Sequence, residues 1–236
     1  MLLLGIDTAT RRVGVVLASE AGLLGRVELG GPDDGSRPRH AEALAPAIRY
    51  LCDETDVKLS HLSAVAVGTG PGMFTGLRVG VTTAKVLALA LRVPVIPIPS
   101  LDLLAYPLRY SRTLVVPAID ARRSEVYFAI YRPVPGGVQR ESDYQLGSPD
   151  DVAGEIAARG EETLLCGDGA LRFAAEFHEL DRVELAGAAH AAPSLSALAE
   201  LAVARYERED FTSAADVVPL YLRRSDAEIA WEQREG

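Results

Sequence analysis

Gly5-Ile6-Asp7-Thr8-Ala9-Thr10-Arg11-Arg12, near the start of the chain, returns in shortened form as Ala118-Ile119-Asp120-Ala121-Arg122-Arg123. In both places an apolar run ends on an aspartate and the chain turns into a second apolar run. A continuous apolar run bounded by small polar residues reads as a buried strand followed by a turn. A second echo follows in the same order: Val67-Gly68-Thr69-Gly70 is matched by Cys166-Gly167-Asp168-Gly169. Two echoes in one order point to an internal duplication.

Around the first aspartate, residues 2–6, 13–18 and 23–29 read as a meander of three strands. Residues 39–54 place apolar side chains at Ala41, Leu44, Ala45, Ile48, Leu51 and Cys52, the spacing of one helical face. Pro46 lies within that helix and is expected to kink it. A strand (62–67), a tight glycine turn (68–72), a second helix (74–91) and a strand (94–98) complete a β-β-β-α-β-α-β unit. The second half repeats the order, with strands at 113–119, 125–132 and 137–146 and a helix over 148–159 capped by Ser148 or Asp150. A strand (163–166), a helix (170–180), a strand (182–185) and a long helix (194–208) follow. The expected fold class is α/β, with two duplicated βββαβαβ units facing one another across a cleft. This is the actin-like ATPase and sugar-kinase (ribonuclease H-like) arrangement, with units at residues 1–105 and 106–236.

Composition narrows the function classes. A hydrophobic fraction of 48% and a charged fraction of 24% are enough for a core without metals or disulfides. The two cysteines, Cys52 and Cys166, lie in apolar runs and match no ligand spacing, which suggests a reducing compartment. No basic leader precedes the first apolar run, and residues 79–91 are interrupted by Thr82, Thr83 and Lys85. A cytoplasmic protein with no membrane partner is therefore expected. The formal charge of −9 argues against nucleic-acid binding by the chain alone. His40, His61, His178 and His190 include no pair at the i, i+4 spacing of a helical metal site, so no metal is expected.

The second helix repeats small residues every fourth position, at Gly72, Gly76, Gly80, Ala84 and Ala88. Such a ridge lets another backbone approach closely. Leu77, Val81, Val86, Leu87, Leu89 and Leu91 make most of its remaining circumference apolar. A helix of this kind must be covered nearly all round, either within its own chain or by another. The glycine turn before it has two readings as well: a cradle of free amides for an anion, or a sharp start that permits close packing.

Four motifs resemble one family. Residues 68–80 (GTGPGMFTGLRVG, with Ala84-Lys85 behind), 39–46 (RHAEALAP), 120–127 (DARRSEVY) and 219–223 (PLYLR) occur in the order found in the TsaB family, the paralogue of TsaD. That resemblance implies an accessory, non-catalytic subunit of the complex that makes threonylcarbamoyl-adenosine beside the tRNA anticodon. It implies pairing with TsaD through helices 39–54 and 74–91, or with a second copy when TsaD is absent. TsaE is implied as the third component, and tRNA as a partner only within the complex. The paired histidines that hold TsaD's metal have no counterpart in residues 97–105, so no catalytic residue is assigned. Arg39, His40, Leu44, Ile48, Leu51, Phe74, Gly76, Leu77, Gly80, Val81, Ala84 and Lys85 are the expected partner interface. Asp7 and Thr8 stand where nucleotide-binding relatives hold phosphate and metal, as a vestigial phosphate site. Arg122, Arg123, Arg223 and Arg224 are the candidates for RNA contact. No cofactor is expected, and nucleotide binding is left open. The duplicated fold also suggests an ATP-dependent small-molecule kinase, with Asp120 as its acid, and the wider family a metallopeptidase.

Overall fold

A computed structural model describes residues 1–31 and 39–223. The first sheet contains β1 (Leu2–Asp7), β2 (Val13–Ser19), β3 (Gly22–Leu29), β4 (Ala64–Gly68) and β5 (Val95–Ile98), in the order β3-β2-β1-β4-β5. The first three strands form an antiparallel meander, while β4 and β5 run parallel to β1. Helices α1 (His40–Glu54) and α2 (Phe74–Leu91) connect these strands, and α3 (Ser100–Ala105), not expected from the sequence, follows β5.

The second half contains β6 (Leu114–Arg122), β7 (Glu125–Phe128), β8 (Tyr131–Val134), β9 (Gly137–Arg140), β10 (Gln145–Gly147), β11 (Thr163–Cys166) and β12 (Val183–Leu185). Its helices are α4 (Pro149–Arg159), α5 (Asp168–Arg172), α6 (Ala174–His178) and α7 (Leu195–Glu207). The order β10-β7-β6-β11-β12, with β11 parallel to β6 and β12 parallel to β11, repeats the first sheet strand for strand. The duplicated α/β architecture expected from the two echoes is the one observed.

Details differ where packing overrides periodicity. The strand expected at 125–132 is divided at Ala129-Ile130, because β7 pairs with β10 while β8 leaves to pair with β9. The helix expected at 170–180 breaks at Phe173, and Phe173 and Phe177 both enter the second core. Helix α4 takes Ser148 as its cap, in a reciprocal box with Asp151.

Parallel strands buried on both faces need a layer on each side. On one face of the first sheet, Leu4, Ile6, Val65 and Val67 meet Leu44, Ile48, Leu51, Val81, Ala84 and Ala88 of α1 and α2. The opposite face, with Leu3, Val16, Ala66 and Ile96, is covered by Leu198, Ala199 and Ala202 of α7. The long helix assigned from sequence to the 106–236 unit thus lies on the first sheet, because α1 and α2 cover only one side. Gly5 and Gly14 make room for it: a Cβ at Gly14 would fall 2.5 Å from a Leu195 methyl.

After α7 the chain recrosses the first lobe. Thr212 bridges to Val95, the Leu220 amide donates to the Thr69 carbonyl at 2.8 Å, and the Arg223 guanidinium donates to the Ala121 carbonyl at 2.8 Å. Helix α2, with 18 residues and a mean hydropathy of 1.4, has by length and composition alone what a bilayer-crossing helix needs. Its leucines and valines raise that value, and its stripe of glycines and alanines lies on the chain's own sheet and turns.

Candidate functional site: the outer helix faces and the interlobe cleft

The four-residue ridge of α2 faces inward. A Cβ at Gly76 would lie 2.1 Å from the Thr8 carbonyl oxygen, at Gly80 2.2 Å from Thr8 Oγ1, and at Gly72 2.3 Å from the Ala9 carbonyl oxygen. The backbone that the glycines admit is therefore the β1–β2 turn of the same chain. Much of the expected partner interface therefore lies on the inward side of the two helices. Leu44, Ile48, Leu51, Gly76, Leu77, Gly80, Val81 and Ala84 are all buried within the lobe. The strongest helical periodicity marks the face that the chain's own sheet takes.

His40 is buried too, and its Nε2 donates to the Thr10 carbonyl at 2.7 Å. Burial lowers its pKa, against the backbone hydrogen bond that raises it. Lys85 is half-buried, and its ammonium donates to the carbonyls of Ala215 (3.2 Å) and Val217 (2.9 Å), which fixes the recrossing segment. Phe74 is half-buried beside Tyr221, with ring centroids 5.0 Å apart, and the Arg78 guanidinium lies 4.3 Å from its ring centre. Arg39 is exposed and pairs with Glu42 at 2.6 Å.

The outward faces carry different residues. Val86 is 58% exposed and Leu89 64% on α2, and Tyr50 is 58% exposed on α1. Ala41, Ala45 and Pro46 of α1 and Thr75, Thr82 and Ala90 of α2 are exposed with them. The signal for this face was an apolar remainder, left on the helices after their inward ridges are subtracted.

Asp7 and Thr8 are sealed beneath α2. Thr8 is fully buried and its hydroxyl donates to the Gly76 carbonyl at 2.7 Å. Asp7 accepts from the Ala9 amide at 3.2 Å, while its Oδ2 has no hydrogen-bond partner. Neither residue expected at the vestigial phosphate site lines the cleft. Burial pushes the Asp7 pKa up to about 7, against the Ala9 hydrogen bond that lowers it. A proton held more tightly in the fold than in the unfolded chain means that stability falls as pH rises. The fall starts near the unfolded value of about 4 and levels off above about 7. Asp7→Asn, neutral throughout, is expected to raise the thermal midpoint more at pH 8 than at pH 5. A larger gain at pH 5 would contradict the burial argument.

The second lobe presents an open counterpart. A cleft of about 480 Å³ between the lobes is lined by Arg11, Arg12, Asp120, Arg122, Asp168 and Arg172, among others. Asp120 pairs with Arg172 at 2.9 Å and Arg122 at 3.4 Å, and accepts from the Arg122 amide at 2.9 Å. The Asp120 amide donates to Asp168 at 3.0 Å, and burial pushes the Asp168 pKa up to about 6. Arg122, Arg123 and Ser124 occupy left-handed backbone conformations in the β6–β7 turn, with φ of 63°, 53° and 58°. Arg223 is held against this hairpin through Ala121 and Glu125. Three of the four RNA candidates are therefore brought together, while Arg224 lies outside the described residues. Asp168 and Arg172 were not singled out from the sequence. The echo of Gly68-Thr69-Gly70 by Gly167-Asp168-Gly169 was the signal that could have found Asp168.

Comparison with known proteins agrees with this architecture. The family model described as "TsaD: tRNA N6-adenosine threonylcarbamoyltransferase" matches residues 32–231. The tRNA threonylcarbamoyladenosine biosynthesis protein TsaB of Haemophilus influenzae is 31% identical, with 100% of this chain and 98% of that protein aligned. The chain belongs to the TsaB family. The TsaB of Bacillus subtilis is 32% identical, with 98% of each chain covered. The solved structure of YeaZ from Pseudomonas aeruginosa superposes with a TM-score of 0.78 at 30% identity, covering 94% of this TsaB-family chain and 99% of that one. A second Pseudomonas aeruginosa structure, described as similar to peptidase YEAZ, gives 0.80 at 31% identity. The likeness runs through both lobes, since 94% of this chain is covered in each superposition.

Proposed function

We propose that this TsaB-family chain is a non-catalytic accessory subunit of the assembly that makes threonylcarbamoyl-adenosine in tRNA, and that it docks TsaD on the outward faces of α1 and α2. The observation that carries this reading is the exposure of Val86, Leu89 and Tyr50 on two helices whose inner ridges are already spent. Covering a large aliphatic or aromatic side chain gains about 2 kcal/mol, and a helix pair can supply the roughly 800 Å² per partner of an ordinary interface. In the absence of TsaD, the same faces close on a second copy.

TsaD carries the chemistry in this reading, with TsaE as third component, and no residue of this chain performs a step. The tRNA is met only within the assembly, at Arg122, Arg123 and Arg223 on the β6–β7 side. Family membership favours this role over a small-molecule kinase, and so does the burial of Asp7 and Thr8. Mixing the chain with TsaD, TsaE, ATP, the threonylcarbamoyl precursors and unmodified tRNA tests the role. Modification is expected to require this chain, and the chain alone to yield none. Modified tRNA from the chain without TsaD would reject the non-catalytic reading.

A further inference from the structure

Helix α2 changes chemistry along its outer side. Its second half exposes the aliphatic Val86 and Leu89, whereas its first turns carry Phe74 and Arg78. The Phe74 ring lies 5.0 Å from that of Tyr221, with the two planes tilted by 32°. The Arg78 guanidinium sits 4.3 Å from the Phe74 ring centre, and its Nε donates to the Tyr221 hydroxyl at 3.4 Å. Tyr221 is 41% exposed, so much of its ring is open to a ligand. Arg78 is exposed as well, and no carboxylate among the described residues pairs with it. A full positive charge thus stands beside an open ring, in a chain whose formal charge is −9.

The segment that carries Tyr221 joins this cluster to the second lobe. The Leu220 amide donates to the Thr69 carbonyl at 2.8 Å, in the glycine turn that precedes α2. The Arg223 guanidinium donates to the Ala121 carbonyl at 2.8 Å, in the β6–β7 hairpin that carries Arg122 and Arg123. Tyr221 is thereby held between Arg78 on one side and the hairpin arginines on the other. Glu125 engages Arg223 and Asp120 engages Arg122, so the hairpin's charge is partly compensated, while that of Arg78 is not. Phe74, Arg78 and Tyr221 are absent from the lining of the interlobe cleft, so they form a separate, outer surface.

We propose that Tyr221, backed by Phe74 and flanked by Arg78, is a stacking platform for an unpaired base of the tRNA. This rests on the reading that tRNA is met within the assembly, and adds to it the residues and the mode of contact. Every base has a flat π-face, so an exposed aromatic ring takes one without reading its sequence. A guanidinium beside the ring meets the adjoining phosphate. Phe74 fixes the Tyr221 ring before the base arrives, so little freedom is lost on stacking. A protein partner would be served by more of the aliphatic surface of Val86 and Leu89, and this end of α2 offers rings and charge instead.

Fluorescence anisotropy of labelled, unmodified tRNA with the complex of this chain and TsaD tests the platform. Tyr221→Ala is expected to weaken tRNA binding about tenfold. Tyr221→Phe, which keeps the ring, should stay within about twofold of the parent. Arg78→Gln should weaken binding and reduce the slope of log affinity against log salt by about one. Arg78 is exposed, so its variant stays informative if Tyr221→Ala disturbs the segment around it. All three variants should still co-elute with TsaD. Parental affinity in both Tyr221→Ala and Arg78→Gln would overturn the platform and leave the accessory role standing. Equal losses in Tyr221→Phe and Tyr221→Ala would overturn stacking, since the ring would then not matter. Loss of the TsaD complex by either Tyr221→Ala or Arg78→Gln would overturn it too, because the cluster would then be a protein contact. Absence of tRNA binding by the parent complex would overturn the platform and the tRNA reading together.

Discussion

Gly76→Ala is expected to destabilise the protein by about 3 kcal/mol, a sign opposite to the one helix propensity gives. In an open helix, alanine is better than glycine by about 1 kcal/mol. At position 76 the added methyl would stand 2.1 Å from the Thr8 carbonyl oxygen and 3.1 Å from the His40 ring. Neither neighbour can yield cheaply. Thr8 donates to the Gly76 carbonyl at 2.7 Å, and His40 donates to the Thr10 carbonyl at 2.7 Å. Moving the β1–β2 turn away strains both hydrogen bonds, each worth about 1 kcal/mol, and overpacking adds about 1–3 kcal/mol. Gly154→Ala in α4, where nothing lies within 4 Å of the added carbon, is the control and should stabilise slightly. Urea unfolding of the two variants checks both signs. A stabilised Gly76→Ala protein would mean that α2 does not seat on the turn as described.

The second large effect separates the two faces of α2. Val81→Asp is expected to lower the thermal midpoint by about 6–20 °C or to prevent folding. Val81 is 3% exposed in the core formed with Leu4, Ile6 and Leu44, and an unpaired buried carboxylate costs about 3–5 kcal/mol. In a chain of this size, each kcal/mol shifts the midpoint by about 2–4 °C. Val86→Asp, five positions along the same helix at 58% exposure, should leave the fold within about 0.5 kcal/mol. Circular dichroism melts distinguish them, and equal melts would contradict the assignment of faces.

Much of the fold was legible because strand ends and turns are written in local chemistry. The Asp7 and Asp120 echoes, the two glycine turns and the helix over 74–91 all reappear in the structure where the residues placed them. The division of a strand at Ala129-Ile130 was not legible, because it depends on which distant strand β8 meets. The placement of α7 also escaped sequence reading, since a helix does not encode which of two sheets lacks a cover.

The candidate site was harder for a physical reason. Periodicity reports that a helix face is buried, and it is silent on what buries it. Leu44, Ile48, Leu51, Val81 and Ala84 formed the clearest pattern, and that clarity came from the first sheet. Residues that face outward, such as Tyr50, Val86 and Leu89, stand out only against a face known to be inward. The arginines of the cleft come from three separate segments, so no window of sequence shows them together.

Co-elution of the Val86→Asp/Leu89→Asp variant with TsaD in size-exclusion chromatography is the most direct test of the docking face. The expected result is loss of the complex peak by a variant whose melting curve matches that of the parent. A complex formed at parental yield by that double variant would contradict it.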